Sequence, residues 1–122
     1  MRDYQKFLDL LDGADVDPME SSRRASQFLV AMAFVSHDLV LAEYKEAITE
    51  DNHDQAKAEQ LLTAPDSLKN APARDAFVVR SPVRREKYEI WADCKSKFHH
   101  LKRLFEIFQE AHQFYRQKGN QQ

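Results

Sequence analysis

Apolar residues recur along this chain at alternating steps of three and four over two long stretches, and that spacing predicts two long helices. In the first stretch the seam is Ala25, Phe28, Met32, Val35, Leu39 and Ala42. It fades in the polar run 50–54, resumes through Ala58, Leu61 and Leu62, and stops at Pro65. Asp17-Pro18-Met19-Glu20 makes a good start, because Asp17 can cap, Pro18 fits the first helical position and Glu20 suits the dipole. The first long helix is therefore placed at 17–64. In the second stretch the seam is Trp91, Cys94, Phe98, Leu101, Phe105, Phe108, His112 and Tyr115. Ser81-Pro82 opens it by the same logic, and 82–117 spans roughly 54 Å at about 1.5 Å per residue. Tyr4, Phe7, Leu8 and Leu11 predict a short N-terminal helix within 1–16, ended by Gly13. Residues 65–81 form a connector marked by Pro65 and Pro72, with Pro82 just beyond it. Within the connector Ala76-Phe77-Val78-Val79 fits a short strand or a packed loop. Residues 118–122 read as a frayed tail.

Two long helices joined by a connector predict an all-α chain: one domain, 1–122, built as an antiparallel hairpin with a short N-terminal helix. Phe28, Met32, Val35, Leu39, Trp91, Phe98, Leu101, Phe105 and Phe108 form its core or oligomer seam. Leu29, Val30, Phe34, Leu41 and Tyr44 make the first long helix apolar on a second side. Either the short helix covers that side or copies of the chain associate. Self-association is the stronger expectation, because the first helix is too short to cover the whole length.

Composition agrees with the helical reading. Two glycines and four prolines are too few for the many turns of a sheet protein. Cys94 is the single cysteine, so no internal disulfide is available and a reducing compartment fits. The N-terminal residues lack a signal peptide's apolar stretch. The longest unbroken apolar run is Phe28 to Val35, well short of the roughly 20 residues that span a bilayer. The expectation is a soluble cytoplasmic protein with no membrane partner.

Charge changes the picture most. Residues 1–68 hold six Lys/Arg and fourteen Asp/Glu, whereas residues 69–103 hold ten and four. An acidic front and a basic middle thus hide inside a net charge of −2. On the second long helix Arg84, Tyr88, Lys95, His99 and Lys102 fall within roughly 60° of arc and along about 27 Å. Arg85 and Arg103 lie further round, and Lys69, Arg74 and Arg80 add positive charge from the connector. Cations for phosphates interleaved with flat rings for bases are what a sequence-tolerant single-strand binder needs. Arg84, Lys95 and Lys102 would hold phosphates and Tyr88 would stack on a base. The plainer alternative is a solvated helix face with pairs such as Arg85–Glu89.

No catalytic residue and no cofactor is expected. Gly13 and Gly119 stand alone, so no phosphate loop exists, and no nucleophile–base spacing can be found. His99 and His100 point about 100° apart on a helix and cannot share a metal in the usual way. His37-Asp38 and Asp51-His53-Asp54 have no ligand spacing either.

The order of features resembles the UvsY-type recombination mediators of tailed phages. Its pieces are the apolar-to-charged helix Phe28 to Leu62, the connector Asp66-Ser67-Leu68-Lys69 through Arg74-Asp75, and the helix holding Tyr88, Leu101 and Phe105. The resemblance spans roughly residues 25–117 and is one of helix order and spacing. It implies a helical phage or prophage protein in the host cytoplasm that forms homo-oligomeric rings. Such a protein binds single-stranded DNA and helps load a recombinase onto strands covered by a single-strand-binding protein. RNA in place of DNA stays open. So do two other readings. One is a protein–protein adaptor or inhibitor using the acidic half and the apolar helix faces. The other is a structural assembly subunit in which the basic middle of one copy meets the acidic front of the next.

Overall fold

A computed structural model describes residues 2–12 and 16–120. It is all-α: α1 is Gln5–Leu8, followed by a 3-10 turn at Asp9–Leu11, and then come α2 (Pro18–Thr63), α3 (Ala71–Val79) and α4 (Pro82–Gly119). No strand occurs among the described residues. Gly13, assigned above as the end of the first helix, lies outside them. Where the sequence suggested one domain, the chain forms two compact units: Met1–Leu41 with His99–Gln122, and Ala42–Phe98.

Local chemistry sets the helix ends. Asp17 Oδ1 accepts a hydrogen bond from Glu20 N at 2.8 Å, which satisfies a donor the helix itself leaves orphaned. Asn70 Oδ1 does the same for Ala73 N at 2.8 Å, with Pro72 in the first turn. Residues 76–79 are therefore neither strand nor loop but the last turn of α3. Asn70-Ala71-Pro72 repeats the start signal of Asp17-Pro18, and the alanines that follow are strong helix formers. Nor do Lys118 and Gly119 belong to a frayed tail. Lys118 sits over the Phe114 ring at 5.5 Å, and Gly119 is buried at the end of α4.

The first unit packs its aromatic rings around Phe108, which is fully buried. Tyr4, Phe7 and Phe28 place their ring centroids 6.0, 6.0 and 5.9 Å from it, joining the N-terminal segment, α2 and α4. Phe28 also stacks on Tyr115 at 5.7 Å. The Tyr115 hydroxyl donates to Leu10 O at 3.1 Å, and Arg24 Nη1 donates to Leu10 O and Asp12 O, which pins the chain leaving the 3-10 turn. His112 Nδ1 lies 2.8 Å from Ala25 O and so carries the proton there. Early residues of α2 meet late residues of α4, so the two helices run antiparallel in this unit.

The seam is rotated from the expected one. Phe28, Val35, Leu101 and Phe108 are buried, but Met32, Leu39, Trp91, Phe98 and Phe105 are only half-buried. Ala31 and Leu104 take the interior positions beside Met32 and Phe105. Small residues at Ala25, Ala31 and Ala111 let the two backbones approach, and the bulkier side chains are turned to the flanks. Gly119 marks the closest approach: a Cβ there would lie 2.3 Å from Ser22 Oγ and 3.2 Å from Ser22 N.

One property of α2 qualifies the expectation drawn from unbroken apolar runs. Averaged over an 18-residue window, its mean hydropathy reaches 1.5, long and apolar enough by composition to cross a membrane. Core helices pass the same test, but only 22% of this stretch is buried.

Candidate nucleic-acid interface

In the second unit the start of α4 packs on His53 of α2. The His53 ring is buried, stacked on Trp91 at 5.4 Å and tilted against Tyr88 at 5.6 Å. Trp91 Nε1 donates to Glu46 Oε1 at 3.1 Å, which fixes the indole. Arg84 Nη1 lies 3.3 Å from His53 Nε2. A guanidinium only donates, so the imidazole nitrogen is the acceptor in this contact. Nδ1 has no hydrogen-bond partner, and Asp54 Oδ1 is 3.7 Å away. Sequence reasoning left His53 in an acidic cluster. Its spacing of three from Ala56, buried on the same face of α2, was the signal that it belongs inside.

Two cations lie over the two rings that edge this cluster. The Arg84 guanidinium sits 5.7 Å from the Tyr88 centroid, and Lys95 Nζ sits 5.2 Å from the Trp91 centroid. Tyr88 is 46% exposed, so one part of its ring packs inward and the rest faces solvent. Tyr88 and Trp91 also meet edge to face, with centroids 6.0 Å apart.

The remaining cations divide by what holds them. Arg74 was expected to extend the phosphate track, but its guanidinium donates to Leu68 O and Leu61 O, both at 3.1 Å, and ties the connector to the end of α2. Arg84 is similarly committed, donating to Val79 O at 3.1 Å besides meeting His53. Leu61 and Val79 lie at the ends of α2 and α3, where carbonyls are left open, so each arginine caps a helix end. Lys69, Arg80 and Arg85 are exposed. Arg80 borders a cleft of about 460 Å³ lined by Leu68, Ala73, Phe77 and Pro82. Lys97 is neutralised by Asp93 at 2.9 Å, whose hydrogen bond raises the lysine's pKa.

His99, Lys102 and Arg103 fall in the first unit. They line a shallow groove of about 490 Å³ with Ile107, Glu106 and Glu110. The two glutamates offset its positive charge, so the basic character weakens toward the C-terminal part of α4. Among the described residues no group of three or more His, Cys, Asp or Glu is placed to hold a metal ion, and Cys94 is a half-buried free thiol.

Comparison of the chain with protein-family models, with curated proteins and with solved structures gave no match.

Proposed function

We propose that this is a non-enzymatic, self-associating helical protein that binds single-stranded nucleic acid through the second unit. The observation that carries the reading is the half-exposed Tyr88 ring beside Trp91, with Arg84 and Lys95 over the two rings. A base stacking on the open part of Tyr88 would find Lys95 nearby for its phosphate. Lys69, Arg80 and Arg85 are exposed cations of the same unit. Stacking on an aromatic contributes about 1–3 kcal/mol per base and is indifferent to base identity, which fits a sequence-tolerant binder. Arg84 acts by holding Tyr88 in place more than by meeting a phosphate. A recombination-mediator role, as the resemblance implies, would add a recombinase and a single-strand-binding protein as partners.

The test is fluorescence-anisotropy binding of an oligonucleotide over a salt series. If Lys69, Arg80, Arg85 and Lys95 each neutralise one phosphate, the log–log slope is roughly −3 for single strands. Arg85→Ala/Lys95→Ala should flatten that slope by about 1.4 and leave the melting temperature in place. Arg74→Ala should instead lower the melting temperature, because it strands two carbonyls. Binding that ignores salt, or no binding at low salt, overturns the proposal. The adaptor reading has one observation in its favour, the exposed apolar face of α2.

A further inference from the structure

We infer that His53 is the positioning residue of the single-strand site, and that binding therefore weakens when its imidazole takes up a proton. This rests on the reading of Tyr88 as a base-stacking ring. Every residue involved lies in the second unit.

His53 touches each part of the site while staying out of solvent itself, at 6% exposure. Its ring stacks on Trp91 and tilts against Tyr88, and it meets the guanidinium that lies over Tyr88. Two acceptors hold that guanidinium. His53 Nε2 lies 3.3 Å from Arg84 Nη1, and Val79 O lies 3.1 Å from Nη2. Arg84 Nε is buried with no partner. A buried donor left without an acceptor is costly. Were His53 to stop accepting, a single hydrogen bond would remain to keep Arg84 in place.

Histidine is the side chain whose charge changes between about pH 5 and pH 8. A neutral imidazole keeps one acceptor nitrogen, whereas a protonated one donates from both and accepts at neither. A proton on Nε2 would set donor against donor and positive charge against positive charge across the 3.3 Å contact. A guanidinium cannot give up its own proton in response. The other charges around the ring are less direct. On α2, Asp54 Oδ1 is 3.7 Å from Nδ1 and attracts a proton, but its side chain is 64% exposed and screened by solvent. Glu50 and Lys57, a turn to either side on α2, are exposed and opposite in sign. On α4 the Tyr88 phenol ring faces His53, and Lys95 reaches the cluster only through Trp91, as Glu46 of α2 does. The Arg84 contact is therefore the one that gives way, and Tyr88 loses the group that holds its ring. The expected sign is unusual. Acid otherwise adds positive charge to a protein and tightens its grip on phosphates.

The test follows anisotropy of a labelled oligothymidylate, whose base does not titrate in this range, on the full chain from about pH 8 to about pH 5. Emission of Trp91, the single tryptophan, is read alongside. Wild-type affinity should fall about tenfold toward acid, the loss of one base stack, and the Trp91 emission should change with the same midpoint. His53→Gln keeps an oxygen that can accept from Arg84 but takes up no proton. It should bind close to wild type at about pH 8 and show neither change, with unaltered circular dichroism. His53→Leu should weaken binding about tenfold at about pH 8 and leave the salt slope as it is, since no phosphate contact is lost. A wild-type affinity that holds or rises toward acid overturns the inference, and so does a fall that persists in His53→Gln. Tyr88→Ala separates this from failure of the reading beneath it. If Tyr88→Ala weakens binding while wild type shows no acid-induced fall, the role of His53 alone is overturned. If Tyr88→Ala binds like wild type, the stacking reading is overturned and the role of His53 with it.

Discussion

Replacing Phe108 by alanine should be the most damaging single truncation in the first unit. The ring is fully buried and touches Tyr4, Phe7 and Phe28, so it is where the N-terminal segment, α2 and α4 meet. Returning a buried Phe side chain to water costs about 1.5–3 kcal/mol. The cavity adds to this, because three rings on different elements cannot all close in on the gap, and the full Phe→Ala cost is about 3–5 kcal/mol. A midpoint of about 4 kcal/mol corresponds to a fall in melting temperature of roughly 12–20 °C for a chain of this size. Urea and thermal unfolding followed by far-UV circular dichroism would measure it. Phe114→Ala is the internal control. That ring is 46% exposed, with an edge contact to Tyr115 at 5.1 Å and Lys118 over it at 5.5 Å, so its loss should cost about 1 kcal/mol. Equal losses for the two variants, or a Phe108→Ala protein within about 1 kcal/mol of wild type, would refute the packing described for this unit.

Two further predictions probe single contacts in the same unit. Gly119→Ala should lower the melting temperature, because the new Cβ would stand 3.2 Å from Ser22 N and 3.3 Å from Ser22 Cα even once the Ser22 hydroxyl turns aside; a rise refutes the close approach. Tyr4 donates to the Asp38 carboxylate, which also pairs with Arg2 at 3.5 Å, so Tyr4→Phe should cost about 1.5–3 kcal/mol near neutral pH. Burial, and then the bond to Asp38, hold the Tyr4 hydroxyl well above the ordinary tyrosine value. A raised folded-state pKa gives stability that is fully present below the unfolded value of about 10 and is lost as pH rises beyond it. The gap between wild type and Tyr4→Phe should therefore shrink above about pH 10, and chemical denaturation showing a constant gap from about pH 8 to about pH 11 would refute the assignment.

Much of the fold was legible because helix signals are local. The apolar spacing and the Asp17-Pro18 and Ser81-Pro82 starts pointed to two long helices, observed at Pro18–Thr63 and Pro82–Gly119. α3 is harder to read because the β-branched pair Val78-Val79 suits a strand, although Asn70-Ala71-Pro72 is a helix start of the same kind. The candidate site was less legible. Helical angles grouped Tyr88 with Arg84 and Lys95, and the structure keeps that grouping. They gave no hint of His53, which comes from another helix more than thirty residues earlier.

By itself, then, the sequence determined the elements, the uneven charge and the two apolar sides of α2, since each depends on residues within a turn or two of one another. Only the tertiary structure decided which neighbour in the seam goes inside, Leu104 and not Phe105, Ala31 and not Met32. Both members of each pair are apolar, and the choice follows from how closely the backbones approach at Ala25, Ala111 and Gly119. It also decided which arginines are committed. Arg74 and Arg84 look like their exposed neighbours along the chain, but open carbonyls at Leu61, Leu68 and Val79 claim them. A guanidinium's partners are set by where the ends of other helices fall, and residue spacing carries no record of that.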